Sequence, residues 1–210
     1  ADSVLDTLES AYNRVGSDLD QFPSARIPVI LYTKKDYRTV TASPDWSGGL
    51  YDGKIRLPIG GATELGEQLR AVLFHEYTHV VVRDIVNGNC PTWLNEGLAE
   101  IEGRKENNPP LQEIGKAFRN GTLHTFAALE GGFMGFSGKQ AQLAYEESYS
   151  IVNFMASTYG WYKIKEILVN LGSGMPIAAA VAKGLGDFGL DYQQVEKEWR
   201  EYLARELGGQ

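Results

Sequence analysis

Two histidines four residues apart, in the segment His75-Glu76-Tyr77-Thr78-His79, are the most constraining feature of this sequence. The apolar spacing around them predicts one long helix over residues 63–86, which Asn87-Gly88 ends. Because residues i and i+4 of a helix lie one turn apart on the same face, both imidazoles can bind one cation at about 2.0–2.1 Å. Glu76 can hold a water molecule of that cation without being a ligand itself. The spacing therefore predicts a metal centre on this helix.

A catalytic metal centre needs a third protein ligand and an open position. A third histidine six residues after His79 is excluded, because that position is Ile85. Glu96 follows His79 by seventeen residues and lies on the next predicted helix, over residues 92–103. Residues 87–91 would join the two helices as an antiparallel hairpin and bring Glu96 back toward His79. We predict Glu96 as the third ligand.

Glu100 follows Glu96 by four residues and projects from the same face of the predicted helix. Histidines that bind a metal usually donate their second ring N–H to a carboxylate or a carbonyl. We therefore predict Glu100 as the hydrogen-bond partner of a ligand histidine. The alternative is a solvated acid on the helix surface.

Cysteine and histidine are scarce, with one cysteine and three histidines in 210 residues. A single cysteine excludes an internal disulfide and any zinc site built on several thiolates. Cys90 lies in the turn between the two ligand helices, and we predict a buried structural thiol there. His124 lies in a polar stretch, and we predict a surface residue at a helix start without a catalytic role.

The charge balance and the length of the apolar runs argue against a nucleic-acid partner and a membrane span. With 20 basic and 27 acidic residues the net charge is −7, and no long run of Lys and Arg offers the basic face that nucleic acids require. No apolar run approaches the roughly 20 residues of a membrane span. We therefore expect no nucleic-acid partner and no membrane span.

Strand patterns come early in the chain and helical patterns come late, which predicts an α+β fold. A strand over residues 27–32 and a hairpin over 49–58, turning at Asp52-Gly53, would form a small mixed sheet, with Pro58 favouring an edge or a strand end. We expect one domain over residues 1–210, with an upper α/β subdomain over 1–90 and a lower helical subdomain over 91–210. The predicted helices cover residues 3–19, 33–41, 63–86, 92–103, 111–120, 139–159, 162–171, 177–185 and 192–207.

The HExxH segment and the segment Trp93-Leu94-Asn95-Glu96-Gly97-Leu98-Ala99-Glu100 resemble the gluzincin metallopeptidases, in particular the small bacterial peptidase MA-like domains called minigluzincins. The resemblance implies a zincin-like fold with an active-site helix and one Zn²⁺. It implies His75, His79 and Glu96 as the three zinc ligands. It also implies Glu76 as the general base and acid, and Glu100 as the partner of a ligand histidine. The GxMEN-type substrate motif of the large gluzincin aminopeptidases is not found in the sequence, which favours an endopeptidase.

The resemblance also implies which residues meet the substrate. Tyr145 is implied as the donor that stabilises the oxyanion; Tyr149, one turn later, is the alternative, and either can be a core aromatic residue. The hairpin strand over residues 54–57 is implied as an edge strand that pairs with an extended peptide. The alternative is a hairpin that only covers the core.

The function predicted from the sequence is a zinc-dependent metallopeptidase that hydrolyses peptide bonds with zinc-activated water and Glu76 as general base. Its substrate would be a peptide or protein in an extended conformation. The alternative is a latent or non-catalytic zinc-binding module that acts as a binding or regulatory domain of a larger protein; the presence of Glu76 favours catalysis. The sequence starts with Ala1 instead of Met, which together with the family favours an exported or periplasmic protein. The oligomeric state stays open.

Overall fold

The computed structural model describes residues 2–44, 47–59 and 65–208. Over these residues the chain forms nine α-helices, three short β-strands and three single 3₁₀ turns. The predicted α+β class is confirmed, because helices dominate and the strands form one small mixed sheet. None of the helices in these ranges is long and apolar enough to cross a membrane.

The observed helices agree with the predicted ones to within a few residues at each end. The start of the long metal helix was predicted at Thr63, which lies outside the described residues; the helix is observed from Glu67. Thr33 caps the second helix, because its side chain accepts the Asp36 N–H at 3.1 Å. The helices are α1 (Asp2–Leu19), α2 (Lys34–Thr41), α3 (Glu67–Val86), α4 (Thr92–Arg104), α5 (Ile114–Asn120), α6 (Gly138–Tyr159), α7 (Trp161–Gly172), α8 (Ile177–Gly184) and α9 (Tyr192–Leu207).

The sheet has three strands, β1 (Val29–Leu31), β2 (Leu50–Tyr51) and β3 (Ile55–Leu57), in the order β1-β3-β2. The predicted hairpin is confirmed, since β2 and β3 pair antiparallel across a turn in which Gly53 adopts a φ of 93°. β1 pairs parallel with β3, with Val29 opposite Ile55.

The prediction that residues 54–57 form an edge strand is wrong. β3 lies between β1 and β2, so its backbone groups are paired on both sides and cannot receive a peptide. The proline that suggested an edge, Pro58, follows the last residue of β3 and therefore removes no hydrogen bond from the ladder.

One compact unit comprises Ala1–Asp84 and Ala99–Pro109. In it, Arg14 of α1 pairs with Glu102 at 3.3 Å and with Glu106 at 2.6 Å, and Arg70 of α3 pairs with Glu106 at 2.8 Å. The Arg14 guanidinium also lies 3.5 Å from the centre of the Phe74 ring. This network ties α1, α3 and the second half of α4 together.

The other unit comprises Ile85–Leu98 and Pro110–Gln210. α4 approaches α6 closely at Gly97, where a Cβ atom would overlap the backbone oxygen of Ser148. A cluster of buried or half-buried rings includes Trp93, whose Nε1–H donates to the Tyr192 hydroxyl at 2.9 Å. The predicted division into residues 1–90 and 91–210 stays a prediction.

Candidate metal centre

The two histidines of the HExxH segment lie on one face of α3. Their ring centres are 4.8 Å apart and the ring planes are nearly perpendicular, at 87°. Both residues are half-buried, whereas Tyr77 and Thr78 between them are buried. The helix therefore presents two imidazoles side by side, with enough exposure to receive an ion.

α4 runs antiparallel to α3, as the hairpin prediction required. α3 ends at Val86, and Asn87 and Gly88 adopt positive φ values of 51° and 83° before α4 begins at Thr92. Gly103, near the end of α4, lies close to the first half of α3, since a Cβ on it would lie 3.0 Å from the Ala71 carbonyl oxygen. The α4 residues that follow the turn thus run back along α3.

His75, His79 and Glu96 form a group that can hold a metal ion. One ligand atom from each residue lies within 4.8 Å of the others. Two imidazole nitrogens and one carboxylate oxygen match the donor set of catalytic zinc sites, and three ligands leave a fourth position open in a tetrahedral ion. The residues present therefore fit a zinc ion. In the described ranges, no other group of three His, Cys, Asp or Glu residues meets this spacing.

Glu100 lies beside His75, with its Oε1 atom 3.4 Å from His75 Nδ1. Its other oxygen accepts a hydrogen bond from Arg104 Nε at 3.1 Å. Arg104 in turn donates to the Pro109 carbonyl at 2.7 Å. The carboxylate is thus held on one side by an arginine and faces an imidazole on the other, which is the position predicted for it.

Glu76 is buried, with 5% of its surface exposed, against the segment that precedes β2. A Cβ on Gly49 would lie 2.6 Å from Glu76 Oε1, and a Cβ on Gly48 would lie 3.1 Å from Val72 Cγ2. Val72 and Glu76 are one turn apart on α3, so the two glycines lie along one face of this helix. Sequence reasoning missed this contact, although two successive glycines before a strand are a signal of close backbone approach.

Tyr145 and Tyr149 lie on α6 and are both half-buried. The Tyr145 ring packs edge-on against Phe133, with ring centres 5.6 Å apart and an angle of 83°. Tyr149 lies within electrostatic range of Tyr202 on α9, and the pKa of Tyr202 is raised mainly by burial and by the charge of Glu206. The catalytic role of either tyrosine stays a prediction.

The prediction that His124 is a surface residue at a helix start is wrong. His124 lies in a loop, not at a helix start, and it is half-buried. Its backbone N–H donates to Glu147 at 2.9 Å, and its Nδ1 lies 2.7 Å from the other Glu147 oxygen. Burial raises the pKa of Glu147, while the hydrogen bonds from His124 oppose that shift. A polar stretch was misread as exposed because its partner is 23 residues away in sequence.

Two adjacent glutamates of α6 were also missed. Glu147 is fully buried, and Glu146 accepts backbone N–H groups from Gln112, Glu113 and Ile114 at 2.8–2.9 Å. The signal was present, since both carboxylates fall within a helix of mostly apolar pattern. The carboxylate of Glu146 also explains why α5 begins at Ile114 and not at the predicted residue 111: it binds the N–H groups that precede the first turn.

Cys90 lies in the turn between α3 and α4 and is half-buried. Burial and the nearby charge of Glu96 raise the pKa of its thiol. A raised pKa keeps the thiol protonated, and a protonated thiol is a poor nucleophile.

No curated protein and no solved structure matches this chain. A family model does match, and it covers residues 18–205, which include both ligand helices and all of the later helices through most of α9. Its description is the Peptidase MA superfamily. The chain is therefore a member of the Peptidase MA superfamily.

Proposed function

We propose that this protein is a zinc metallopeptidase of the gluzincin type, with a zincin-like fold, that acts as an endopeptidase. The observation that carries the proposal is the group of His75, His79 and Glu96, which offers three ligand atoms next to a buried Glu76. Membership of the Peptidase MA superfamily supports the same conclusion. The minigluzincin subfamily and an exported or periplasmic location are part of the proposal.

Each residue of the centre has one task in the proposed reaction. His75, His79 and Glu96 would hold the zinc ion, and Glu100 would keep the His75 ring in one orientation. When bound, zinc supplies Lewis-acid polarisation of the scissile carbonyl and a lowered pKa of water. Glu76 accepts the proton of the attacking water and passes it to the leaving amine nitrogen. Tyr145 donates a hydrogen bond to the oxyanion that forms at the carbonyl.

The peptide substrate would pair with β2, not with β3 as first predicted. In the described sheet β2 is an edge strand, and it follows Gly49, which touches the Glu76 side chain. A peptide added to this edge would run past the general base and be bound mainly through its backbone. Such binding favours extended substrates and gives little side-chain preference.

Cleavage of a broad peptide library by the zinc-loaded protein tests the proposal. We expect Glu76→Gln to keep its zinc and to lower kcat by about 10²–10⁴-fold, the usual contribution of a general acid–base group. Glu201→Gln is the matched control, because this glutamate is 56% exposed on α9, and it should cleave like the wild type. A wild type that binds one zinc and cleaves nothing, or a Glu76→Gln variant with full activity, would overturn the proposal.

A further inference from the structure

A row of rings runs from the His124 loop to Tyr145. The His124 ring stacks on Phe136 with centres 5.7 Å apart and an angle of 11°, and Phe136 stacks on Phe133 at 5.5 Å and 13°. Phe133 then meets Tyr145 edge-on at 5.6 Å. All three separations lie in the range of roughly 4.5–7 Å over which ring pairs attract each other.

The far end of this row is fixed by charged groups. His124 is held by the fully buried Glu147 through its backbone N–H and its ring. Arg200 of α9 donates to the His124 carbonyl at 2.7 Å. Three polar contacts from two helices thus hold one residue at the end of the row.

The two phenylalanines come from one turn that is closed at both ends. Phe133–Gly135 forms a 3₁₀ turn, and the Phe136 N–H donates to the Phe133 carbonyl at 2.9 Å. Before the turn, the Glu130 carbonyl accepts the N–H of Thr92, the first residue of the helix that carries Glu96. After it, Ser137 begins α6 with a capping box. The turn therefore joins the start of α4 to the start of α6.

We propose that Phe133 is a positioning residue that fixes the ring of Tyr145. The inference rests on the proposed function, in which the Tyr145 hydroxyl stabilises the oxyanion. The hydroxyl oxygen of a tyrosine lies on the axis of the Cβ–Cγ bond, so rotation about that bond leaves it in place, whereas a small rotation about Cα–Cβ displaces it widely. Phe133 is only 3% exposed and is backed by Phe136 and His124, and it limits that rotation. A displacement of about 1 Å at a catalytic group can cost about 100-fold in rate.

The first test measures the Tyr145 ring itself and needs no substrate. Proton NMR signals of this ring, assigned by their loss in Tyr145→Phe, are compared in the wild type and in Phe133→Leu. We expect shifted ring signals in Phe133→Leu, because the edge-on contact is gone and the ring changes its position. Met134→Leu is the matched control on the same turn, since Met134 is 63% exposed, and it should leave the signals unchanged. Unchanged signals in Phe133→Leu would overturn the inference.

The second test is a double-mutant cycle in peptide cleavage. Phe133→Leu should lower kcat by about 10-fold and leave KM and zinc content near the wild-type values, because ground-state binding does not use the Tyr145 hydroxyl. In a Tyr145→Phe background the same change should have no further effect. An equal loss in both backgrounds would show that Phe133 acts on the fold and not through Tyr145. If Phe133→Leu does not fold, Phe133→Met also removes the ring, with a side chain that adapts to irregular gaps, and serves in both tests.

The two proposals fail separately. A wild type that binds zinc and cleaves nothing overturns the proposed function, and with it the catalytic meaning of the contact. Cleavage that depends on Glu76 but not on Phe133 overturns only the positioning role.

Discussion

The buried glutamates of α6 have different neighbours from the glutamates of α3 and α4. On α6, Glu146 accepts backbone N–H groups from the segment that leads into α5, and Glu147 accepts from the His124 loop. These oxygens are occupied by groups of the protein itself. They hold loops in place and leave little capacity for a ligand.

On the helix pair, the neighbours are imidazole rings. Glu96 shares a group with His75 and His79, and Glu100 lies 3.4 Å from His75. An imidazole and a carboxylate can bind the same cation, whereas a backbone N–H cannot. The contrast teaches that burial alone does not identify a functional glutamate; the chemical identity of its neighbours does. Variants of Glu146 and Glu147 should therefore lose stability and keep the metal, and variants of Glu96 and Glu100 should do the reverse.

The largest expected effect is on α6. Glu146→Ala should lower the free energy of unfolding by about 3–5 kcal/mol, because three backbone N–H groups lose their acceptor. Urea unfolding followed by circular dichroism measures this loss. Glu201→Ala on the exposed face of α9 is the control and should change stability by less than about 0.5 kcal/mol. A small loss in Glu146→Ala would contradict the structural role assigned to α6.

On α4, Glu100→Ala should weaken zinc binding by about 10–100-fold, the usual effect of removing the partner of a ligand histidine. Competition with a chromophoric chelator measures the affinity. Glu102, two residues later, pairs with Arg14 and Lys105 instead, so Glu102→Gln should bind zinc like the wild type and lose stability. Equal zinc affinities in wild type and Glu100→Ala would remove Glu100 from the metal centre.

The packing of α4 on α6 gives a smaller effect. Gly97→Ala should destabilise the protein by about 1–3 kcal/mol, since the new Cβ would overlap Ser148 and Val152 of α6. Gly115→Ala on α5 is the matched control, because its Cβ would meet only Arg119 at 3.6 Å, and alanine favours a helix by about 0.5–1 kcal/mol. Thermal unfolding compares the two. If Gly97→Ala is as stable as Gly115→Ala, the close approach of α4 to α6 is wrong.

The smallest expected effect is on the pH dependence of stability, to which Glu147 and Glu106 should contribute with opposite signs. Burial raises the pKa of Glu147, so its contribution to stability falls as pH rises from the ordinary value of 4.5 through the folded-state pKa. For Glu106, burial acts upward, but hydrogen bonds from Arg14 and Arg70 lower the pKa overall. Its contribution is therefore present above 4.5 and is lost as pH falls through the folded-state pKa. The free energy of unfolding is measured from pH 3 to 7 for the wild type, Glu147→Gln and Glu106→Gln. The stability of the wild type relative to Glu147→Gln should fall as the pH rises, and its stability relative to Glu106→Gln should rise. Slopes of the same sign would contradict the pKa shifts.

Local spacing explains what the sequence could predict. The helices that carry the metal ligands follow from apolar periodicity, a positive-φ Asn-Gly stop and the i, i+4 rule, all of which act over a few residues. α9 was predicted with its observed bounds, Tyr192–Leu207, for the same reason. The grouping of Glu96 with the two histidines followed from the short turn between α3 and α4.

Pairings between distant residues explain what it could not. The central position of β3 depends on its parallel pairing with β1, whose residues come 26 positions earlier. The His124–Glu147 contact spans 23 residues, and the contacts of Glu146 span 32–34. Neither periodicity nor composition carries such information, because each of these partners would look like an ordinary surface acid or loop in isolation.

The most direct test of the central claim is the zinc content of the protein after loading with zinc and removal of unbound metal. The wild type should retain one zinc per chain, and His79→Ala and Glu96→Ala should each lose it under the same conditions, because each removes one of three ligands. Glu201→Ala should retain it. A wild type without zinc, or a Glu96→Ala variant that holds zinc as tightly as the wild type, would contradict the metal centre described for α3 and α4.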